Sequence, residues 1–105
     1  MASGLADLGR FSEPALLILA SLAGGPKHGY AIEKDVEQFS GHRLEPGTLY
    51  GALTRLESRG WIEPLPAEER RRPYRLTGLG AEVLRARLES VQKVAVVGLR
   101  RLAGA

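Results

Sequence analysis

The sequence places four arginines within six positions: Arg70, Arg71, Arg72 and Arg75. Guanidinium groups this close together attract phosphates and release the counterions bound to them. No acidic residue lies inside this window, although Glu68 and Glu69 directly precede it. We expect the cluster to contact a nucleic-acid backbone. The alternative is a solubilising run of charges that pairs with the two glutamates.

A second set of polar residues that could contact DNA follows Pro46. Leu49, Leu53 and Leu56 recur at helical spacing and would face a core. The polar side chains between them would then lie on the opposite side: Thr48, Tyr50, Thr54 and Arg55. Hydroxyls suit phosphate oxygens, and an arginine can reach a phosphate or the O6 and N7 atoms of guanine. Taken singly, each residue is explained equally well by an ordinary solvated helix surface. The nearby arginine cluster favours a DNA-reading surface.

The sequence gives little support for a catalytic site or a metal site. The absence of cysteine excludes disulfides, cysteine-ligated zinc and thiol catalysis. The two histidines are 14 positions apart, which is a poor basis for a metal site. A dinucleotide fingerprint opening at Gly78 would need a third glycine where Val83 stands. We therefore expect no enzyme activity, no catalytic residue, no metal and no cofactor.

Composition favours a single globular domain. The chain has 105 residues, 44% of them hydrophobic, and a net charge of +3. Its first ten residues contain no apolar run, and the longest apolar stretch, 15–20, is far shorter than the ~20 residues that span a bilayer. We expect a cytoplasmic protein with no membrane partner.

The first predicted helix is capped by Ser12, with Glu13 and Pro14 in its first turn. Residues 15–22 are apolar on nearly every side, and such a helix must be covered all round. A domain of this size can hardly supply that cover alone. The pattern therefore implies a partner chain. The helix stops at 24–26, which reads Gly-Gly-Pro.

Two further helices and a hairpin should follow. The second helix runs from His28 to Ser40, with a core stripe of Ile32, Val36 and Phe39. The third begins at 45–46 and ends at a C-capping glycine, residue 60. Short strands at 61–65 and 72–76 then form a hairpin. Because each contains a proline, at 64 and 73, we expect both to be edge strands or paired on one side only.

The last helix should be capped by Thr77 and run from Gly78 to about Leu102. Apolar or small residues recur along it with heptad spacing: Leu84, Leu88, Val91, Ala95, Gly98 and Leu102. We expect this seam to form a dimer interface, assisted by Leu16 and Leu19 of the first helix. The alternative is a helix that folds back on its own domain. The small residues of the seam would either let two helices pack closely or leave a cavity for a ligand.

This order of elements predicts a mainly α fold with a small β-hairpin. It is a winged helix-turn-helix domain followed by a long C-terminal dimerisation helix. The predicted boundaries are a flexible N-terminal arm at 1–11, a DNA-binding domain at 12–76 and the dimerisation helix at 77–105.

Three segments resemble the PadR-like family of winged helix-turn-helix transcriptional regulators in order and spacing. They are the His-Gly-Tyr element within 27–32, the third helix and its exit at 46–62, and the end of the wing at 72–80. The resemblance implies a dimer that represses transcription, often in response to a small molecule. It also implies that Tyr30, Thr48, Tyr50 and Arg55 lie at or near DNA.

The sequence departs from the family pattern at three points. Glu45 replaces the usual small hydroxyl or amide cap, and Pro73 replaces a basic or aromatic residue. The last helix has no tryptophan, so a flat aromatic drug held at the dimer centre is not expected.

We therefore expect a homodimeric repressor that binds a palindromic operator in double-stranded DNA, with a small-molecule effector that the sequence does not identify. A winged-helix module for protein–protein interaction and a non-specific nucleic-acid binder are the alternatives.

Three single residues also have two interpretations each. His28 either makes a local hydrogen bond at a helix entry or senses pH. Tyr30 either touches a phosphate or packs into the core. Trp61 is expected to plug the core at the wing base, with a binding site as the alternative.

Overall fold

The computed structural model describes residues 13–104. The predicted arm at 1–11 and the predicted cap Ser12 lie outside that range. The described elements, in chain order, are α1 (Pro14–Ala23), β1 (Lys27–His28), α2 (Gly29–Ser40), α3 (Pro46–Ser58), β2 (Ile62–Pro64), β3 (Pro73–Leu76) and α4 (Gly78–Gly104). Helices therefore dominate, and the mainly α winged-helix fold with a long last helix is confirmed.

Helix α1 lies at the centre of the domain and packs against α2, α3, α4 and β3. It begins at Pro14, with Glu13 in the N-cap position, one residue later than predicted. Ile18, Leu19 and Leu22 are buried. Because four elements surround α1, a single chain covers more of this helix than the sequence suggested.

Helix α2 is confirmed over nearly its predicted length. His28 occupies its N-cap, and Gly41 ends it in the left-handed conformation, with φ 77°. Ile32 and Val36 are fully buried, but the prediction that Phe39 joins them is wrong, because Phe39 is 51% exposed. It lies in the last turn of α2, after Val36, which is the last buried residue of that helix. Leu44, in the following loop, is buried instead.

Helix α3 begins at Pro46 as predicted, and its buried residues are Leu49, Ala52, Leu53 and Leu56. Arg59 takes the C-cap position, and Gly60 follows it with a φ of 75°. A left-handed glycine directly after the cap lets the Trp61 N–H reach back to the carbonyl of Leu56, at 3.1 Å. Trp61 then packs against the core, as predicted.

The wing is a three-stranded antiparallel sheet with the order β1-β3-β2. Strand β1 was not predicted. It pairs Lys27 with Tyr74 and His28 with Pro73. The expectation that the proline-containing strands pair on one side only is therefore wrong for β3, which is central. Pro73 is tolerated there because it is the first residue of its strand, and its carbonyl accepts from the Leu65 N–H at 2.8 Å.

The start of α4 is fixed by Thr77. Its hydroxyl donates to the carbonyl of Gly60 at 2.7 Å and accepts from the N–H of Gly80 at 3.0 Å. The backbone N–H of Thr77 donates to the carbonyl of Trp61. Thr77 therefore caps α4, as predicted, and also ties it to the residues that follow α3.

Only the first turns of α4 belong to the body of the domain. Gly80 and Leu84 are buried, whereas every described residue from 85 onward is exposed. The described part of the chain measures 54 × 29 × 20 Å. The alternative in which α4 folds back on its own domain is thereby contradicted. Leu19 and Leu84, which the sequence assigned to a partner interface, lie in the core of this chain because α1 and α4 pack against each other, so little of their surface is left for a partner.

A buried polar network joins α1 to the elements that follow it. The Ser21 hydroxyl, only 2% exposed, donates to Asp35 at 2.7 Å. Lys27 donates to the carbonyl of Ser21 at 2.6 Å and lies 3.9 Å from the Asp35 carboxylate. These bonds satisfy a hydroxyl that would otherwise be costly to bury. They also hold β1 against the end of α1.

Gly80→Ala should lower the free energy of unfolding by about 3 kcal/mol or more. A Cβ at this position would overlap the Trp61 carbonyl, at 2.8 Å from its carbon and closer still to its oxygen. The backbone of Trp61 cannot move aside to relieve this overlap, as a flexible side chain could. Chemical denaturation measures the effect. Gly78→Ala is the matched control, because a Cβ there meets nothing within 4 Å and should change stability little. Equal stability of the two variants would contradict the role of this close contact.

Candidate nucleic-acid interface

The polar side of α3 is open to solvent, as the sequence analysis expected. Thr48, Tyr50, Thr54 and Arg55 are all exposed. The Thr54 hydroxyl donates to the carbonyl of Tyr50 at 3.0 Å, which leaves its oxygen free to accept a hydrogen bond. A Cβ on Gly51 would lie 3.6 Å from Nη1 of Arg55. The guanidinium group therefore lies along the helix over the space that this glycine leaves open.

Tyr50 connects α3 to the first turn of α2. A Cβ on buried Gly29 would lie only 2.7 Å from the Tyr50 hydroxyl oxygen and 3.0 Å from its Cζ atom. Tyr50 nevertheless remains 54% exposed, so it rests on Gly29 while its other side faces solvent. A side chain at this position would push the Tyr50 ring away from α2.

Tyr30 lies next to this contact and is 57% exposed. The alternative that it packs into the core is therefore contradicted. The ammonium group of Lys34 lies 5.4 Å from the centroid of its ring, a cation–π distance. Tyr30 and Lys34 together present an aromatic ring and a positive charge to solvent on the first turns of α2.

The wing tip is a tight two-residue turn. Glu68 and Arg71 exchange two backbone hydrogen bonds of 2.8 and 2.9 Å. Glu69, the first residue inside the turn, has a φ of 57°, a conformation that residues with a Cβ rarely adopt. The four predicted contact residues of the wing are all exposed: Arg70, Arg71, Arg72 and Arg75.

Two of the wing arginines contact other side chains of the chain. Arg75 forms an ion pair with Glu63, the residue opposite it in β2. Arg71 places its Nη1 atom 3.2 Å from Nε2 of His28. In the described range 13–104, no ion pair joins these arginines to Glu68 or Glu69. The alternative of a charge run neutralised by those two glutamates therefore gains no support.

His28 makes the local hydrogen bond that the sequence analysis favoured. Its Nδ1 atom accepts from the N–H of Ala31 at 3.4 Å and so caps α2. The same ring reaches the wing through Arg71, a residue 43 positions away. This second role has no signal in the sequence, because nothing local to either residue indicates that β1 pairs with β3.

The base of the wing packs against α3 through Tyr74. Burial raises the pKa of the Tyr74 hydroxyl, and the negative charge of Glu57 raises it further, while Arg72 opposes the shift. The hydroxyl is therefore neutral at physiological pH. Glu57 lies on α3 and Tyr74 lies on β3, so the wing and the helix that carries the exposed polar residues are close together at this point.

The described residues show neither a metal-binding cluster nor a membrane-spanning helix. Between residues 13 and 104, no group of three or more histidine, aspartate or glutamate side chains is arranged to hold a metal ion. None of the helices in that range has the length and apolar character needed to cross a membrane.

Comparison with known proteins identifies a family. Residues 18–86 match the model of the transcriptional regulator PadR-like family. A PadR-family regulator from Eggerthella lenta DSM 2243 is 32% identical, with a TM-score of 0.76 over 96% of this chain and 89% of that one. A PadR-family regulator from Clostridium difficile R20291 is 30% identical, with a TM-score of 0.76 over 85% of this chain and 97% of that one.

A sequence relative places the same segment in a longer protein. An uncharacterized 37.1 kDa protein of transposon TN4556 from Streptomyces fradiae is 47% identical over 85 residues. The match covers 81% of this chain but 25% of the relative. The chain therefore spans about a quarter of the length of that protein.

Glu69→Gly should raise the free energy of unfolding by about 1 kcal/mol, because glycine adopts a positive φ without the steric cost that a Cβ imposes. Thermal or chemical denaturation measures the gain. Glu69→Gln is the control, since it removes the same charge but keeps the Cβ. A gain of equal size in both variants would assign the effect to charge instead of backbone conformation.

Proposed function

The chain belongs to the PadR-like family of transcriptional regulators, and on that basis we propose that it is a homodimeric repressor that binds a specific operator in double-stranded DNA. The observation that carries this proposal is the junction at His28 and Gly29. His28 contacts Arg71 of the wing, and Gly29 contacts Tyr50 of α3. Two surfaces suited to DNA, far apart in the sequence, thus adjoin at two consecutive residues.

The two surfaces are suited to different parts of a DNA duplex. Helix α3 has a buried apolar side, so its exposed side can enter the major groove, where base edges are distinguishable. We assign Arg55 to a base edge and Thr48 to a weaker contact nearby. The wing carries long cations on a tight turn. Such side chains follow phosphates, which hold a protein in register without reading sequence.

Dimerisation is proposed to occur through the exposed part of α4. Apolar side chains protrude there and are largely uncovered by their own chain: Leu88, Val91, Leu99 and Leu102 are between 43% and 75% exposed. A contiguous apolar strip of this kind marks an interaction surface. Ala95 and Gly98 lie on the same side, and their small size suits close helix contact.

The body of the domain offers grooves beside this helix. A groove of about 220 Å³ lies between α1, Trp61 and α4, and includes Leu16 and Arg87. A second groove, of about 450 Å³, lies on the other side of Leu84 and includes Leu76 and Leu88. Half-buried Leu16 is therefore the residue of α1 that we assign to a partner, in place of buried Leu19.

A two-fold dimer would read two half-sites, so the operator should be an imperfect palindrome. The half-site centres should lie one helical turn, about 34–36 Å, or a multiple of it apart. Such a protein lowers transcription by occupying a promoter.

Two alternative functions predict different DNA binding. A winged-helix module that binds protein would show no salt-sensitive affinity for DNA. A non-specific binder would bind any duplex equally.

Leu88→Arg should convert the dimer to a monomer, because it places a charge in a dehydrated seam. Light scattering on purified protein should give twice the 11.4 kDa chain mass for the parent and that mass for the variant. Ser90→Arg adds the same charge about 200° further round the helix and should remain dimeric. A monomeric parent at micromolar concentration would reject the proposed interface.

Arg55→Ala and a triple wing variant should weaken DNA binding in different ways. Arg55→Ala should cost about 1–3 kcal/mol on the operator and less on unrelated DNA, because a base contact is lost. Replacing residues 70–72 with alanine should weaken both duplexes by similar factors. It should also make the slope of log K against log salt shallower by at most ~3. Affinities of both variants on both duplexes, measured across a salt series, separate these effects. If the triple variant alone erased sequence preference, the two roles would be reversed.

A further inference from the structure

We propose that His28 and Arg71 together bind one phosphate of the DNA backbone, with the histidine acting as a neutral hydrogen-bond donor. This inference rests on the proposed DNA binding and adds a contact that joins helix α2 to the wing. The starting observation is that Nε2 of His28 lies 3.2 Å from Nη1 of Arg71.

From the cap of α2 we assign the ring proton of His28 to Nε2. Nδ1 of His28 accepts a hydrogen bond from the N–H of Ala31, so Nδ1 has a free lone pair. A neutral imidazole has one donor and one acceptor nitrogen, which leaves the proton on Nε2. A doubly protonated ring could not accept from Ala31 at all.

In this tautomer, two hydrogen-bond donors face each other: the Nε2–H group of His28 and an N–H group of Arg71. Arginine has five N–H donors and no acceptor, so it cannot satisfy the Nε2–H group. The two groups can be side by side favourably only when a shared acceptor lies between or above them. An anionic oxygen is the acceptor that suits a guanidinium group best.

The surroundings leave space for such an oxygen. A pocket of about 250 Å³ is lined by His28, Arg71, Glu68, Glu69 and Pro73. The two glutamates are the acceptors within the chain that could compete for it. Neither forms an ion pair with Arg71 in the described range. The pocket opens where the wing meets α2, next to the contact between Gly29 and Tyr50.

This location favours a DNA phosphate over a free anion. A duplex that touches both α3 and the wing must pass the junction between them, and its backbone supplies a phosphate there on every strand. The site thus sits where the proposed DNA path is most constrained. It gives His28 a function in addition to capping the helix.

His28→Asn separates capping from phosphate binding. Asparagine is among the best N-cap residues, so it can still accept from Ala31, but its short side chain cannot place a donor at the position of Nε2. The variant should melt within a degree or two of the parent protein. It should bind the operator and an unrelated duplex of equal length with about tenfold lower affinity on both, because a hydrogen bond to a charged group is lost.

Arg71→Ala and the double variant test whether the two residues share one phosphate. Arg71→Ala should make the slope of log K against log salt shallower by about one. The loss in the double variant should be smaller than the product of the two single losses, because each single change already disrupts the shared contact. His42→Asn, at the other histidine, should leave both affinities unchanged.

The outcomes distinguish this inference from the function on which it rests. If the parent protein binds neither duplex, the proposed function fails. If the parent binds DNA and His28→Asn binds both duplexes equally well, His28 is only a helix cap and the shared site is rejected. Strictly multiplicative losses in the double variant would also reject it, since the residues would then act at separate phosphates.

Discussion

The contact between Gly80 and the carbonyl group of Trp61 determines how the parts of this protein are joined. No side chain fits between the two backbones, and the Thr77 hydroxyl bonds to residues on both sides of the gap. The start of α4 is therefore held rigidly against the end of α3. Since α4 then leaves the body as an exposed helix, this one junction sets the direction of the helix that we assign to dimerisation. It would thereby also set the distance between the two DNA-reading helices of a dimer.

A second junction, at the start of α2, relates the wing to α3. Strand β1 is only two residues long, yet it pairs with the central strand of the wing and leads directly into the helix cap. The network of Ser21, Asp35 and Lys27 anchors the same strand to α1. A movement of the wing would therefore disturb the first turn of α2 and the ring of Tyr50 that rests on it. The exposed side of α3 and the wing are thus connected through the start of α2.

Charge is distributed so that this surface stays basic while its neighbours are neutralised. The chain carries a net charge of only +3, and ion pairs engage Arg75 with Glu63 and Arg87 with Glu13. Arg59 lies over the ring of Trp61, 5.0 Å from its centroid. The exposed arginines at the wing tip carry charge where the proposed DNA path places phosphates, and Arg55 carries it on the exposed side of α3. Placement of charge, more than its total, determines what this protein attracts.

The sequence by itself determined the helices, the cap of α4 and the character of each surface. Leucine spacing in α3, Pro46 at its start, Thr77 before α4 and the arginine run are local signals, because helix periodicity, capping and charge depend on neighbours a few residues away. Tertiary structure alone decided the rest. Phe39 has the spacing of a core residue but lies past the end of the packed layer, and Leu84 has the spacing of a partner seam but packs into its own domain. Strand β1 pairs with Pro73 and Tyr74, and His28 meets Arg71 across 43 positions. Periodicity cannot indicate which distant residues will share one sheet.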